Sequence, residues 1–177
     1  MHTAQFIWAL TLAMTLSAAL LDWRSHRIPN LLTVPGLLVG VTVHTMLTGW
    51  HGTLFALEGA GLALVLLLAP VLTRVLGAGD WKLMGAVGAL LGPVLMLFVL
   101  LSSVLAVGLM AFVQMTRTGI VVQTFRNMLV LVRGIFAFGL KPNPRMSLDN
   151  AALMKLPFGV AVALATLICF CAARWVA

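Results

Sequence analysis

The chain has 177 residues, of which 62% are hydrophobic and only 8% are charged, and its net charge is +7. Soluble domains average about 25% charged residues, so this chain has too few polar side chains to cover a soluble surface. The composition excludes a soluble domain. No aromatic–basic recognition pattern accompanies the positive charge, so we expect no nucleic-acid partner. We predict an all-α, polytopic membrane protein that forms one domain.

Six apolar stretches follow one another along the chain, and each is a candidate membrane-spanning helix. Pro70 is expected to kink or end the third stretch. The fourth is short: at 1.5 Å per residue it measures about 18 Å, against about 30 Å for the bilayer hydrocarbon. We therefore expect protein rather than lipid around it. The six stretches are residues 4–21, 31–49, 53–73, 81–92, 94–115 and 156–175.

Charge indicates whether the fourth and fifth stretches form one helix or two. Broken at Gly92-Pro93, they give six transmembrane helices, and with the N-terminus outside ten of the eleven Lys and Arg residues fall on inner connections. Merged, they would place the basic residues from Arg117 to Lys155 outside. That arrangement would contradict the positive-inside rule. We therefore predict a break at Gly92-Pro93.

The long inner connection contains a further predicted element. Residues 119–140 are apolar, but Arg126 and Arg133 lie seven residues apart and so share one helical face. An arginine at mid-bilayer costs about 2.5–3.5 kcal/mol on insertion scales, and a helix lying at the membrane surface avoids most of this cost. We expect an amphipathic helix at the cytoplasmic surface, followed by a break at residues 141–144.

The chain has only four acidic residues, and two of them meet the membrane on the same side in this topology. Asp22 ends the first span, and Asp80 begins the fourth. Two close carboxylates do not readily both ionise, so the pair can hold one proton. Such a pair can take a proton from water and polarise a carbonyl group. This chemistry suits peptide hydrolysis without a metal ion or a nucleophilic side chain, and we expect no cofactor.

Each acid also has a simpler interpretation. Gly77 and Gly79 leave space and conformational freedom beside Asp80, but a Gly-x-Gly-Asp sequence can equally be a helix-capping turn. Asp22 could pair with a neighbouring arginine in an interfacial loop.

Other polar residues leave alternatives open. Lys82 is either an orienting charge for the site or a basic residue that snorkels to the inner surface, and the sequence favours neither. Asn30 could hydrogen-bond within the site, but after Pro29 it is also a suitable N-cap, which we prefer. We assign Glu58 no direct catalytic role. His44 is expected to pack or hydrogen-bond within its own helix.

Three stretches of the sequence, taken together and in this order, resemble the type IV prepilin peptidase family of membrane aspartic proteases. "LLDWRSHRIPNLLTVPGL", residues 20–37, contains the family's Asp-x-Arg-x-x-x-Ile-Pro-Asn pattern. "GAGDWK", residues 77–82, matches Gly-x-Gly-Asp-x-Lys. "LPFGVAVALA", residues 156–165, looks like the family's late Pro-[Phe/Tyr]-Gly segment.

The resemblance implies a membrane aspartic endopeptidase with six helices and no metal, a single integral-membrane peptidase domain over residues 1–177. It would cleave the leader from prepilins or pseudopilins at the cytoplasmic face of the inner (cytoplasmic) membrane. Its partners would be the substrate's leader and apolar N-terminal helix, and the lipid bilayer. The implied catalytic residues are Asp22 and Asp80, and the implied site-shaping residues are Gly77, Gly79, Lys82 and Asn30.

The resemblance also bears on a second activity. Larger family members carry an N-terminal extension with a Cys-rich zinc motif and methylate the new pilin N-terminus. This chain shows neither feature, so we expect no N-methyltransferase activity. Its small size is more similar to the peptidases of tight-adherence (Flp-type) pilus systems.

Two alternative functions would use other features. A proton- or ion-coupled transporter would depend on Asp80 and Glu58, although the chain is small for this task and shows no inverted repeat. A noncatalytic scaffold of a pilus or secretion assembly would tolerate the loss of its carboxylates.

Overall fold

The computed structural model describes residues 2–25, 28–118 and 157–176, and the only regular elements in these ranges are α-helices. The all-helical prediction is confirmed. The amphipathic helix expected over residues 119–140 and the break after it lie outside the described residues. The helices are α1 (His2–Ser25), α2 (Asn30–Thr48), α3 (Trp50–Leu66), α4 (Leu68–Leu72), α5 (Ala78–Thr118) and α6 (Phe158–Val176).

The surface of this bundle suits a bilayer. By length and composition four of the described helices could cross a membrane, namely α1, α2, α5 and α6, and α3 is a shorter apolar helix. Large apolar side chains cover the outer faces of the helices. Trp23, Trp50 and Trp175 lie near helix ends and are 70%, 70% and 93% exposed, as is typical of the boundary between lipid and water. The chain is a multi-pass membrane protein.

Contacts at the two ends of α1 establish the direction of α6. Near the end of α1, Asp22 accepts a hydrogen bond from Gly159 in the first turn of α6. Near the start of α1, Trp8 packs against Phe170, with ring centroids 5.6 Å apart. The two helices therefore run antiparallel. We call the end of the bundle that contains Asp22 the aspartate end.

Both ends of α5 lie at the aspartate end. Near the start of α5, Asp80 is close enough to Asp22 for their charges to interact. Near its end, Val113 lines a groove together with Trp23 of α1 and Pro157, which precedes α6. α5 therefore consists of two arms, residues 78–91 and residues 93–118, that pass through the bundle in opposite directions.

The two arms meet at Gly92, where the predicted break is confirmed. Gly92 has φ 77° and ψ 177°, which are not helical values and which glycine adopts far more readily than other residues. Pro93 follows it and lacks the N–H group that would continue the helix. His44 of α2 donates a hydrogen bond of 2.8 Å from Nε2 to the carbonyl oxygen of Leu90. His44 also packs against Phe55, with ring centroids 5.1 Å apart, as its expected packing role requires. The expected hydrogen bond within its own helix is replaced by the bond to α5, because the break in α5 leaves carbonyl groups in need of donors.

The first arm of α5 is the core of the protein. Every residue in the range 83–92 is buried, which confirms that protein surrounds the short span. Small residues allow the neighbouring backbones to come close: Gly40 of α2 packs on the backbone of Ala89, and Gly59 of α3 packs on that of Gly88. Close packing of this kind stabilises helix contacts in membranes, where lipid removes most of the hydrophobic driving force.

Pro70 has the predicted effect on the third apolar stretch. α3 ends at Leu66, and Leu67 (φ −92°, ψ 1°) separates it from α4, which contains Pro70. Proline has no N–H group to donate to the carbonyl four residues earlier, here that of Leu66, and its ring crowds the same carbonyl. The backbone therefore departs from helical geometry at Leu67, one residue after that carbonyl.

We predict that Gly59→Ala destabilises the bundle. The added methyl group would overlap the carbonyl oxygen of Gly88 and lie 2.8 Å from the carbonyl carbon of Gly92, and neither backbone can turn aside. Overpacking of this kind typically costs about 1–3 kcal/mol. Gly61→Ala on the same helix is the control, since nothing lies within 4 Å of its added Cβ. Thermal unfolding in detergent should give a lower melting temperature for Gly59→Ala alone; equal temperatures for the two variants would contradict the observed packing.

Candidate active site

Asp22 is held at the start of another helix. It lies in the last turn of α1 and is only 6% exposed. Its Oδ2 accepts a hydrogen bond of 2.8 Å from the backbone N–H of Gly159. The first N–H groups of a helix have no partner within that helix and carry partial positive charge. The start of α6 therefore orients the Asp22 carboxyl group.

Asp80 makes a similar contact with the start of its own helix. It is the third residue of α5 and is partly buried. The backbone N–H of Gly77 hydrogen-bonds to its carboxyl group, as the acidic residue of a capping box does. A Cβ on Gly77 would lie 3.1 Å from Asp80 Oδ2, so glycine leaves room for this geometry. The capping interpretation of Gly-x-Gly-Asp is therefore correct, and it is compatible with a role in chemistry.

The two carboxyl groups converge although they are far apart in the sequence. The charge of Asp22 acts on Asp80 across the space between α1 and α5. Each carboxyl group also has a backbone N–H donor at a helix start, from Gly159 and from Gly77 respectively. Each carboxyl group is therefore held by the backbone at a helix start.

Gly79 brings the start of α5 against the segment that precedes α2. A Cβ on Gly79 would lie 3.1 Å from the carbonyl oxygen of Ile28 and 3.2 Å from its Cβ. These contacts are tighter than ordinary van der Waals contacts, so a larger residue would move the start of α5. Gly79 thus sets the position of Asp80 relative to α2.

Lys82 and Asn30 form a direct link between α5 and α2. Lys82 Nζ donates a hydrogen bond of 2.9 Å to Asn30 Oδ1. The prediction that Asn30 is an N-cap is wrong: Pro29 occupies that position, and no side chain caps the helix. The physical reason is that the amide oxygen of Asn30 bonds to the lysine of the neighbouring helix. This bond, two residues from Asp80, supports the orienting interpretation of Lys82 over the snorkelling one.

A shallow apolar groove lies beside Asp22, with a volume of about 400 Å³. It is formed by the end of α1, the second arm of α5 and the start of α6. Among the described residues that line it, Gln114 has the one amide side chain. Its lining includes Trp23, which follows Asp22, and Pro157 and Val160, which lie on either side of Gly159 in the sequence. The lining residues are Trp23, Leu109, Met110, Val113, Gln114, Pro157 and Val160.

Comparison with known protein families identifies the chain. A model of the type IV leader peptidase family matches residues 9–112, more than half of the sequence, and this range includes both Asp22 and Asp80. The chain belongs to the type IV leader peptidase family. No curated protein and no solved structure matches it. The protein is therefore a leader-peptidase-like protease, and the resemblance noted in its sequence is confirmed at the level of the family.

The geometry of the described helices does not support a transport pathway through Asp80 and Glu58. Glu58 is exposed on α3. Its neighbour Gly59 packs against Gly88, which lies eight residues beyond Asp80 and therefore about 12 Å from it along the helix. Asp149, another of the four acidic residues of the chain, lies outside the described residues. Among the residues that the structure describes, no group of three or more His, Cys, Asp and Glu side chains could hold a metal ion.

Two residues near the candidate site were not singled out by their sequence. Gly159 donates to Asp22, and a Cβ on it would lie 3.0 Å from both Cβ and Oδ2 of Asp22. The Pro-Phe-Gly segment was a signal for it, although a pattern does not show which residue it contacts. Thr33 is 1% exposed, and its hydroxyl has no hydrogen-bond partner in the described ranges. Its position on the same helical face as Asn30 was the only available signal.

We predict that Gly159→Ala impairs peptidase activity without unfolding the protein. The added Cβ would displace the Asp22 carboxyl group, and a displacement of about 1 Å in a catalytic group can lower the rate by roughly 100-fold. Gly108→Ala on α5 is the control, since nothing lies within 4 Å of its added Cβ. Cleavage rates and melting temperatures would be measured together. Wild-type cleavage by Gly159→Ala would show that this contact does not position Asp22.

Proposed function

We propose that the protein is an aspartic endopeptidase of the inner (cytoplasmic) membrane that removes the leader from prepilins or pseudopilins. The observation that carries this proposal is the convergence of Asp22 and Asp80 at one end of the helical bundle. Membership of the leader peptidase family supports the reaction class. The motifs around the two aspartates support the choice of catalytic residues.

In the proposed mechanism the two carboxyl groups share one proton and activate one water molecule. The ionised carboxylate removes a proton from water while the water oxygen attacks the scissile carbonyl carbon. The protonated partner donates its proton to the carbonyl oxygen, which gives a tetrahedral diol. The first group then returns its proton to the leaving nitrogen. The diol gives a proton to the second group, and the carbon–nitrogen bond breaks. One water molecule is consumed, and both carboxyl groups regain their original states.

The backbone contacts support separate roles for the two carboxyl groups, one as base and one as acid. One oxygen of Asp22 is held by the N–H of Gly159, and the carboxyl group of Asp80 is held by the N–H of Gly77. These donors belong to helix starts and need no rearrangement during the reaction, which is how preorganised dipoles lower a barrier. In the proposed mechanism the two carboxyl groups act on water and on the substrate carbonyl.

The distribution of basic residues supports a cytoplasmic location for the aspartate end. Among the described Lys and Arg residues, Arg174 lies at the opposite end, and four lie at the aspartate end: Arg24, Arg74, Lys82 and Arg117. Cytoplasmic connections carry an excess of basic residues. We propose that α1, α2, α3, the two arms of α5 and α6 all cross the membrane, with the N-terminus outside.

The groove beside Asp22 supports docking of the substrate's apolar N-terminal helix from the bilayer. It faces outward between helix ends, and Trp23 at its border is 70% exposed. Its apolar lining would accept side chains from one face of a helix that remains in lipid. The leader, at the cytoplasmic surface, would then place the scissile bond next to the two carboxyl groups.

We predict that Asp22→Asn and Asp80→Asn each abolish processing of a co-expressed prepilin, because an amide can neither accept the proton of water nor return one. Glu58→Gln is the matched control, since this exposed carboxyl group lies away from the site. Processing is read as the shift in mass of the pilin on immunoblots. Normal processing by either aspartate variant would refute the proposed function.

We predict that Val113→Trp weakens the use of membrane-embedded substrate by filling the groove. Leu105→Trp is the control, because it adds the same side chain to the same arm at a position that is 66% exposed and outside the groove. In liposomes, the substrate-to-lipid ratio needed for half-maximal cleavage should rise several-fold for Val113→Trp only. Equal behaviour of the two variants would remove the groove from the docking proposal.

A further inference from the structure

Thr33 carries a buried hydroxyl group to which no described residue hydrogen-bonds. The residue is 1% exposed, and its Oγ1 has no hydrogen-bond partner among the residues described. Such a group is costly inside a protein and finds no partner in lipid. Buried polar groups without a protein partner usually bind an ordered water molecule. We therefore expect the Thr33 hydroxyl to have a polar partner that is not one of the described side chains.

Thr33 differs in this respect from the other buried hydroxyl residues of the described helices. Each of them donates to the carbonyl oxygen four residues earlier, at 2.6–3.0 Å. The Pro29 carbonyl stands four residues before Thr33, but the Thr33 hydroxyl does not bond to it. The residues that bond within their own helices are Thr11, Thr15, Thr73, Ser103 and Thr166.

The contacts of α2 show where Thr33 lies. Asn30 bonds to Lys82, and a Cβ on Gly36 would lie 3.5 Å from the Cβ of Ala86. These two contacts define the face of α2 that packs on the first arm of α5. Thr33 lies three residues after Asn30 and three before Gly36, so in a regular helix it is midway between them in height and in direction. It therefore belongs to this face.

Both aspartates lie closer to the aspartate end than Thr33. On α5, Ala86 lies beside Gly36, and Asp80 comes six residues before Ala86, which puts Asp80 about 4.5 Å closer to that end than Thr33 along the helix axis. On α1, Met14 lies beside Gly36, and Asp22 comes eight residues after Met14, which gives an axial offset of about 7.5 Å. A chain of one or two water molecules, at about 2.8 Å per hydrogen bond, can cover offsets of this size.

We propose that Thr33 is a positioning residue, whose hydroxyl binds water on the membrane side of the Asp22–Asp80 pair and thereby orients the carboxyl groups. This inference rests on the proposed function. A hydroxyl group both donates and accepts hydrogen bonds, so it serves this water whichever carboxyl group carries the shared proton. Thr33 itself contacts neither the substrate nor the reacting atoms.

The test compares Thr33→Val, which keeps the shape and removes the hydroxyl, with Thr33→Ser, which keeps the hydroxyl. Cleavage of a prepilin by the full chain in liposomes should show kcat lowered about tenfold for Thr33→Val, as expected for one lost hydrogen bond, with KM unchanged. Thr33→Ser should restore kcat to near the wild-type value. Thr166→Val is the control, because that hydroxyl bonds to the carbonyl of Val162 in its own helix, and it should keep wild-type kcat.

Other outcomes would overturn the proposal. If the hydroxyl is only an unpaired group, Thr33→Val should raise the melting temperature and leave kcat unchanged. A loss of kcat in both Thr33 variants, or an equal loss in Thr166→Val, would indicate a packing role. The proposed function is tested separately. Cleavage by Asp22→Asn or Asp80→Asn would refute the proposed function. If both aspartate variants are inactive and Thr33→Val is fully active, only the role of Thr33 is refuted.

Discussion

The first arm of α5 is stable only inside the protein, and the rest of the structure follows from this constraint. Its fourteen residues, 78–91, measure about 21 Å, which is shorter than the bilayer hydrocarbon. Unpaired backbone groups are costly in lipid, so other helices must surround it. Gly40 and Gly59 let the backbones of α2 and α3 approach it, and Gly92 turns the chain where the arm ends. The packing that buries the arm also fixes Asp80 at its start.

The candidate site is built at helix ends, where the backbone supplies donors that a helix interior cannot supply. Asp22 reaches the first turn of α6, and Asp80 reaches back to the residue before α5. Gly159 and Gly77 are the donors, and both lack the Cβ that would crowd the carboxyl group they hold. The two carboxyl groups are therefore positioned by backbone groups at the starts of α6 and α5.

A site at the boundary of the membrane reconciles two requirements of the proposed reaction. Hydrolysis needs water and polar groups, which are scarce in the bilayer interior, whereas a substrate with an apolar helix remains in lipid. At the aspartate end the buried Asp22 and the partly buried Asp80 adjoin an outward-facing apolar groove. The same location accounts for the basic residues around it, because the arginine and lysine side chains reach the aqueous surface.

The sequence by itself determined the helices and where they break. Runs of apolar residues, Pro70, and the Gly92-Pro93 pair act locally, and their effects do not depend on distant contacts. The short length of the fourth stretch also predicted its burial. Only the tertiary structure decided which side chains meet: that Asn30 bonds to Lys82 rather than capping its helix, and that Asp22 faces Gly159. The physical reason is that the rotation and register of each helix are set by packing against its neighbours, and no periodicity along one helix contains that information.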